Sequence, residues 1–152
     1  MIYGLWALIT AALFTGAAIY ITLAEHPARL QLPIEPLLAQ WKPSYARGFA
    51  LQASLAIVGA VLAAVAWWQI RNPLWLVGGA VLLSNWPYTL LVIMPVNQRL
   101  NAIATGQASE TTTRLDLVRW GQLHAVRSAL GLIATGILAA AAIQALAVAG
   151  VP

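Results

Sequence analysis

Residues 120–135 read WGQLHAVRSALGLIAT, and six of their side chains fall on one stripe of a helix. The six are Trp120, His124, Arg127, Ser128, Gly131 and Thr135. A helical period near 3.6 puts residues at these spacings on one face, and the residues around them are mostly Ala, Leu, Val and Ile. Because an ionisable group is costly to keep inside a bilayer, a histidine and an arginine one turn apart in such a segment indicate a functional site.

The composition predicts an integral membrane protein. The 152-residue chain is 61% hydrophobic and only 8% charged, and its mean hydropathy is +0.80. Ordinary soluble domains carry roughly 25% charged residues, so this chain lacks the polar side chains to cover a soluble surface. We expect one domain over residues 1–152. The absence of cysteine excludes disulfides, thiolate catalysis and cysteine-ligated zinc or iron–sulfur sites.

Four apolar segments predict an all-α membrane bundle of four helices. They cover about residues 2–24, 44–69, 74–94 and 117–148, and each reaches the ~20 residues that cross a bilayer. Residues 35–41 are expected to form a short interfacial helix between spans one and two. The last helix is expected to begin at Glu110, so that its first turns stand outside the hydrocarbon.

Prolines are expected to set the helix ends. Pro27 should stop span one, and Pro43 should occupy the first turn of span two. Pro87 predicts a kink in span three, because it has no N–H to offer the Leu83 carbonyl. Pro95 is expected to end or bend that span.

The basic residues predict an orientation. The first and third loops carry Arg29, Lys42, Arg99, Arg114 and Arg119, whereas the second carries only Arg71. The positive-inside rule then places both termini outside and the long loops in the cytoplasm. The expected membrane is a bacterial inner membrane. The net charge of +4 is therefore read as topological, so nucleic acid is not expected as a partner. The expected partners are the lipid bilayer and a lipophilic small molecule, and a homo-oligomer is an open alternative.

Antiparallel spans should bring four polar helix ends to one leaflet. Those ends hold Glu25 and His26, Tyr45, Arg47 and Gln52, Tyr88 and Asn97, and His124 and Arg127. The other leaflet holds little beyond Gln69, Arg71 and Asn72. The sequence therefore predicts a site at the headgroup end of span four.

The roles of these residues stay open at this point. His124 is either a packing histidine or a base, ligand or substrate contact. Arg127 should have a partner, with Glu25 as the natural counter-ion and Arg47 as a competitor for that carboxylate. Such an ion pair is either part of the site or purely structural.

A metal site has a weak signal. Glu25, His26 and His124 would make the two-histidine, one-carboxylate set of non-haem iron. Adjacent helical residues seldom point the same way, so the preferred expectation is that no metal is bound. Iron, copper, or haem with His26 or His124 as axial ligand are the alternatives.

Five segments carry a resemblance to a known family. They are Glu25-His26-Pro27-Ala28-Arg29, Trp41-Lys42-Pro43-Ser44-Tyr45-Ala46-Arg47, Asn85-Trp86-Pro87-Tyr88-Thr89, Pro95-Val96-Asn97-Gln98-Arg99-Leu100, and Trp120 with Leu123-His124-Ala125-Val126-Arg127. Together they resemble the small four-span membrane proteins grouped with the fungal anthrone oxygenases. The resemblance covers nearly the whole chain, and Pro-x-Asn-x-x-Leu and Trp-x-x-x-His-x-x-Arg are its more specific parts.

The resemblance implies that an anthrone-type phenolic is oxidised to an anthraquinone with molecular oxygen. His124 would be the base and Arg127 the anion stabiliser, with Glu25 as the third catalytic candidate, and this mechanism requires no cofactor. The candidates for substrate contact are Arg47, Gln52, Asn85, Tyr88, Asn97 and Trp120. The alternatives to an enzyme are a non-catalytic module that binds a lipophile or a partner, and a redox protein that binds haem or metal.

Overall fold

The computed structural model describes residues 1–148 and 150, and this part of the chain forms four long helical rods. Spans one to four are Ile2–Arg29, Ile34–Ile70, Pro73–Ala102 and Glu110–Val148. Each is long and apolar enough to cross a membrane. All regular structure within the described residues is helical, which confirms the predicted all-α four-helix bundle. The predicted single domain also includes residues 149, 151 and 152, which lie outside the described residues.

The spans alternate in direction around a closed bundle. Each packs mainly against its neighbour in sequence, and span four also packs against span one. The turn between spans two and three is tight. Arg71 adopts a left-handed conformation with φ of 60°, and the Asn72 side chain accepts a hydrogen bond from the Leu74 N–H at 3.0 Å. This turn makes spans two and three antiparallel neighbours.

Two apolar clusters hold the bundle together, one at each end. The cluster near the turn is built on small residues, which let the helices approach closely. A Cβ atom on Gly131 would lie 2.9 Å from Thr15 Oγ1, and Thr15 and Thr135 share a hydrogen bond of 2.9 Å. Gly131 and Thr135 therefore serve helix packing. The second cluster surrounds Trp41 and Trp120 at the opposite end.

Span one does not stop at Pro27, and that prediction is wrong. A π-helical turn, Ile21–Glu25, comes directly before His26-Pro27, and the helix continues to Arg29. The wider turn moves the hydrogen bonds to i−5 spacing, so the chain stays helical past a residue that donates none. Span three repeats the device with a π-helical turn at Thr89–Ile93 before Pro95. Pro95 therefore does not end span three, which continues to Ala102.

The prediction of a separate interfacial helix over residues 35–41 is wrong, because these residues are the first turns of span two. Span two is continuous from Ile34 to Ile70, with Pro43 inside it instead of in its first turn. The reason is burial, because Leu37 and Trp41 are fully covered by the other spans and cannot lie on a membrane surface. That packing offsets the one backbone hydrogen bond that Pro43 removes.

The predicted break in span three is confirmed at Ser84, three residues before Pro87. The Ser84 hydroxyl donates to the Val81 carbonyl at 2.7 Å. Asn85 Nδ2 donates to the Leu82 carbonyl at 3.0 Å, one residue before the Leu83 carbonyl that was expected to need a partner. The break turns the Asn85 side chain into the bundle, where it is 2% exposed.

Span four runs from Glu110 to Val148, as predicted, and has 39 residues. At 1.5 Å per residue it is longer than a bilayer is thick. Its outer turns bind the first loop, where Arg114 donates to the Leu30 and Leu32 carbonyls at 2.7 and 3.2 Å. These bonds close the end of the bundle that carries the candidate site.

Candidate active site

A small cavity lies between the two apolar clusters, near the loop-closed end of the bundle. Its volume is about 20 Å³. All four spans line this upper cavity, with Ile21, Glu25 and Arg29, then Ser44, Tyr45, Gly48, Phe49 and Gln52, then Ile93 and Asn97, and finally Trp120, His124 and Arg127. Polar residues from the ends of all four spans therefore meet at this cavity, whereas three members of the predicted set, His26, Arg47 and Tyr88, do not line it.

His124 is held by one ring nitrogen and by one ring face. Its Nδ1 lies 3.1 Å from Thr22 Oγ1, and Thr22 Oγ1 lies 2.8 Å from Ser128 Oγ. The Trp120 ring stacks on the imidazole with a centroid distance of 5.0 Å and an interplanar angle of 27°. His124 lines the cavity, and its Nδ1 already has a hydrogen-bond partner in Thr22. Its Nε2 is therefore the ring nitrogen that is available to a ligand. Thr22 was not among the predicted site residues.

Trp120 is fixed in turn by a chain of hydrogen bonds to span two. Its indole N–H donates to Asn97 Oδ1 at 2.9 Å, and Asn97 Nδ2 donates to the Tyr45 hydroxyl at 3.1 Å. Tyr45 stacks on Trp41 with a centroid distance of 5.0 Å and an angle of 2°. Asn97 and Trp120, both predicted as substrate contacts, therefore also orient one wall of the cavity.

Arg127 is buried without a counter-ion, contrary to prediction. Only 7% of the residue is exposed, and within residues 1–148 and 150 no hydrogen bond or ion pair reaches its guanidinium. The Arg127 guanidinium lies over the Phe14 ring, with its carbon 5.6 Å from the ring centroid, a cation–π contact. An unpaired cation in a buried position destabilises a fold.

Glu25 pairs with Arg29, and the expected pairing with Arg127 or Arg47 is wrong. One Glu25 oxygen, Oε1, accepts from Arg29 Nη2, from Ser44 Oγ at 2.6 Å and from Gln40 Nε2 at 3.3 Å. Arg29 also donates to Gln40 and Ser44. A helix that ended at Pro27 would place Arg29 in the first loop, so this ion pair was not predicted. The signal was present, since Glu25 and Arg29 stand four residues apart, a spacing that pairs side chains on a helix.

A second, deeper cavity of about 10 Å³ lies beside the first and shares three residues with it, Phe49, Gln52 and Arg127. Gln52 is 1% exposed, and neither its amide nitrogen nor its amide oxygen has a hydrogen-bond partner within the described chain. Asn85 also lines this deep cavity, and its Oδ1 is likewise unpaired there. Two predicted contact residues, Gln52 and Asn85, are therefore brought together at one place.

Two other predicted contacts lie elsewhere. Arg47 is exposed on the outer face of span two and lines neither cavity. The Tyr88 hydroxyl donates to the Leu123 carbonyl at 3.1 Å, and Tyr88 is likewise absent from both cavity walls. The structure gives Arg47 no contact with the site and gives Tyr88 a role in joining spans three and four.

His26 points away from the cavity and does not join His124 and Glu25. Its Nε2 lies 3.0 Å from the Leu117 carbonyl oxygen and donates to it. The ring fits there only because residue 121 is glycine, since a Cβ atom at Gly121 would lie 2.5 Å from the His26 ring. In the part of the chain that the structure describes, Glu25, His26 and His124 do not form a group that could hold a metal ion.

The fold and the site define a class of protein, a compact bundle of four membrane-length helices with one buried basic site near one end. The anthrone oxygenase family profile matches residues 41–137. The chain belongs to the anthrone oxygenase family, which confirms the resemblance seen in its sequence.

Two fungal relatives cover most of the chain. Anthrone oxygenase AgnL2 of Paecilomyces divaricatus is 29% identical over an alignment of 143 residues, and the match covers 84% of this chain and 87% of that protein. An anthrone oxygenase of Claviceps purpurea (strain 20.1) is 31% identical over an alignment of 139 residues, and the match covers 83% of this chain and 80% of that protein. No solved structure matches the chain. Membership of the family supports an oxygenase-like function in general.

Proposed function

We propose that the protein is a membrane-embedded oxygenase that oxidises a lipophilic phenolic of the anthrone type with molecular oxygen. The observation that carries the proposal is that His124 and Arg127, one helical turn apart, both line the upper cavity. His124 has a free Nε2 there, and Arg127 has a buried positive charge that no described residue neutralises. A base beside an unpaired cation is the arrangement that forms and stabilises an organic anion.

The hydrogen bonds behind His124 suit the role of base. With Nδ1 protonated, the imidazole donates to Thr22 Oγ1, and Thr22 donates to Ser128 Oγ. This direction leaves a lone pair on Nε2, facing the cavity. The Nε2 atom takes a proton from the acidic benzylic carbon of the anthrone, and the electron pair delocalises through the ring onto the ketone oxygen. Arg127 stabilises that oxyanion.

Oxygen then reacts with the carbanion form of the substrate. The anion passes one electron to O₂, and the two radicals join in a new C–O bond. His124 returns its proton to give a hydroperoxide. Loss of the second benzylic hydrogen breaks the O–O bond, so the products are one quinone carbonyl and one water. The sum is anthrone plus O₂ giving anthraquinone plus water, with no other oxidant.

Substrate binding requires more room than the two cavities offer. A cavity of about 20 Å³ holds little more than one water, and a fused three-ring system is far larger. Phe49 borders both cavities and is half-buried, so its rotation would join them. Leu90 lines the deep cavity and is 45% exposed, which suits access from the lipid between spans two and three.

The proposed test follows the oxygen atoms. Protein purified in detergent should consume one O₂ for each anthraquinone formed and release no hydrogen peroxide. With ¹⁸O₂, mass spectrometry should find one heavy atom in each quinone, because the second leaves as water. A new quinone oxygen that comes from water would contradict the mechanism. Binding of the anthrone without oxygen uptake would favour a non-catalytic lipophile-binding module.

We further propose that the bundle lies in a bacterial inner membrane, with both termini outside and the long loops in the cytoplasm. The distribution of basic residues supports this orientation. Because the chain has no cysteine, one Gln107→Cys substitution in the exposed third loop gives a unique label. A membrane-impermeant thiol reagent should label it only after the cells are permeabilised. Equal labelling of intact cells would reverse the orientation.

A further inference from the structure

Several polar atoms around the deep cavity have no hydrogen-bond partner among the described residues. Gln52 Nε2 and Oε1, Asn85 Oδ1 and Arg127 Nε are all buried without a hydrogen-bond partner among the described residues. Apolar side chains such as Phe14, Phe49 and Trp86 form the rest of the wall. Buried polar atoms are nearly always paired, and leaving them unpaired costs stability. Four such atoms around one cavity indicate a bound polar group.

The donors and acceptors left free define that group. Asn85 Nδ2 already donates to the Leu82 carbonyl, which fixes the amide orientation and leaves Oδ1 as an acceptor. Gln52 offers one donor group and one acceptor, and Arg127 Nε offers a donor. Two unpaired acceptors require a ligand that donates a hydrogen bond. A carbonyl or an ether only accepts, whereas a hydroxyl both donates and accepts.

We propose that the deep cavity is a recognition subsite for a free phenolic hydroxyl of the substrate. This proposal rests on the proposed function, in which a fused aromatic ring system enters the space that joins the two cavities. The hydroxyl donates to an oxygen of Gln52 or Asn85 and accepts from Gln52 Nε2 or Arg127 Nε. The reacting carbon then lies in the upper cavity beside His124, which also lines it. The subsite selects hydroxylated anthrones over their methyl ethers.

A binding experiment tests the subsite without turnover. The probes are 2-hydroxyanthraquinone and 2-methoxyanthraquinone, which are already oxidised and do not react further with oxygen. Their dissociation constants are measured by quenching of tryptophan fluorescence in detergent. The hydroxyl compound is expected to bind about tenfold more tightly, since its ether leaves the amide oxygens unpaired and adds a methyl group. Failure of oxygen uptake would sink the proposed function and would leave this ratio unaffected.

A variant then assigns the preference to Gln52. Gln52→Met keeps the length of the side chain and removes both amide atoms, so the tenfold preference should fall to about one- to threefold. Its thermal midpoint should not decrease, because two unpaired polar atoms have been removed. The control is Ser54→Ala on the exposed side of the same helix, which should keep the preference.

Three outcomes would overturn the proposal. The first is equal binding of the two quinones by the unaltered protein, which is expected if a trapped water satisfies the amides. The second is a preference that survives in Gln52→Met. The third is no binding of either quinone. Where the variant does not fold, the first and third outcomes still test the proposal, because both are measured in the unaltered protein.

Discussion

Replacing His124 with alanine is expected to lower the rate of anthrone oxidation by a factor of about 10² to 10⁴, the usual contribution of a general base. His124 is 2% exposed and is the imidazole on the cavity wall, so no other side chain there can take its place as a neutral base near pH 7. The rate of quinone formation, followed by absorbance in detergent, measures the effect.

The control variants for His124 separate chemistry from folding. His124→Gln keeps a polar group near Thr22 and should be as inactive as His124→Ala, because an amide is not a base. Gln122→Ala, on the exposed side of the same helix, should retain full turnover. Both His124 variants should elute from size-exclusion chromatography as the unaltered protein does. A His124 variant that oxidises the anthrone at the normal rate contradicts the role of base.

Arg127→Met is expected to have the second largest effect, a loss of about 10²- to 10³-fold in kcat/KM, which is the scale for removing one oxyanion donor. The same change should leave the thermal midpoint unaltered or raise it, because it removes a buried charge with no counter-ion among the described residues. Loss of activity together with a gain in stability is the signature of a charge kept for function.

Arg119→Met is the matched control for Arg127. Arg119 is exposed on the same helix, eight residues earlier, and lines neither cavity. Its replacement should leave both turnover and thermal midpoint close to those of the unaltered protein. A strong loss of stability in Arg127→Met would instead indicate that Arg127 has a structural partner.

Much of the fold was predictable because hydrophobic segments of membrane length leave few arrangements. The four apolar segments, the turn at Arg71 and the full extent of span four follow from hydropathy and helix signals. The errors involve proline. Pro27 does not stop span one, because a π-helical turn precedes it, and Pro43 lies inside span two, where tertiary packing holds the helix. Of the two alternatives for Pro95, an end to span three is contradicted, since a π-helical turn precedes this proline as well. A local rule on proline could not anticipate those compensations.

The location of the site was predictable, and its pairings were not. Alternating spans bring His124, Arg127, Gln52, Asn97 and Glu25 to one cavity, as the antiparallel order requires. The partner of a carboxylate depends on the directions in which the side chains point. Because span one continues to Arg29, that arginine lies one turn from Glu25 and pairs with it. No sequence pattern predicts that the Gln52 amide lacks a hydrogen-bond partner among the described residues, because this depends on the side chains of the other three helices.

The proposed conversion of a bound anthrone into its anion in this cavity has a direct test in an anaerobic absorption spectrum. A hydroxylated anthrone mixed with the unaltered protein under nitrogen should show the red-shifted band of the anthrone anion. The band should disappear in His124→Ala while fluorescence quenching shows that the anthrone still binds. On admission of oxygen the band should decay as quinone appears. A bound anthrone that stays neutral in the unaltered protein and still becomes quinone would contradict the mechanism.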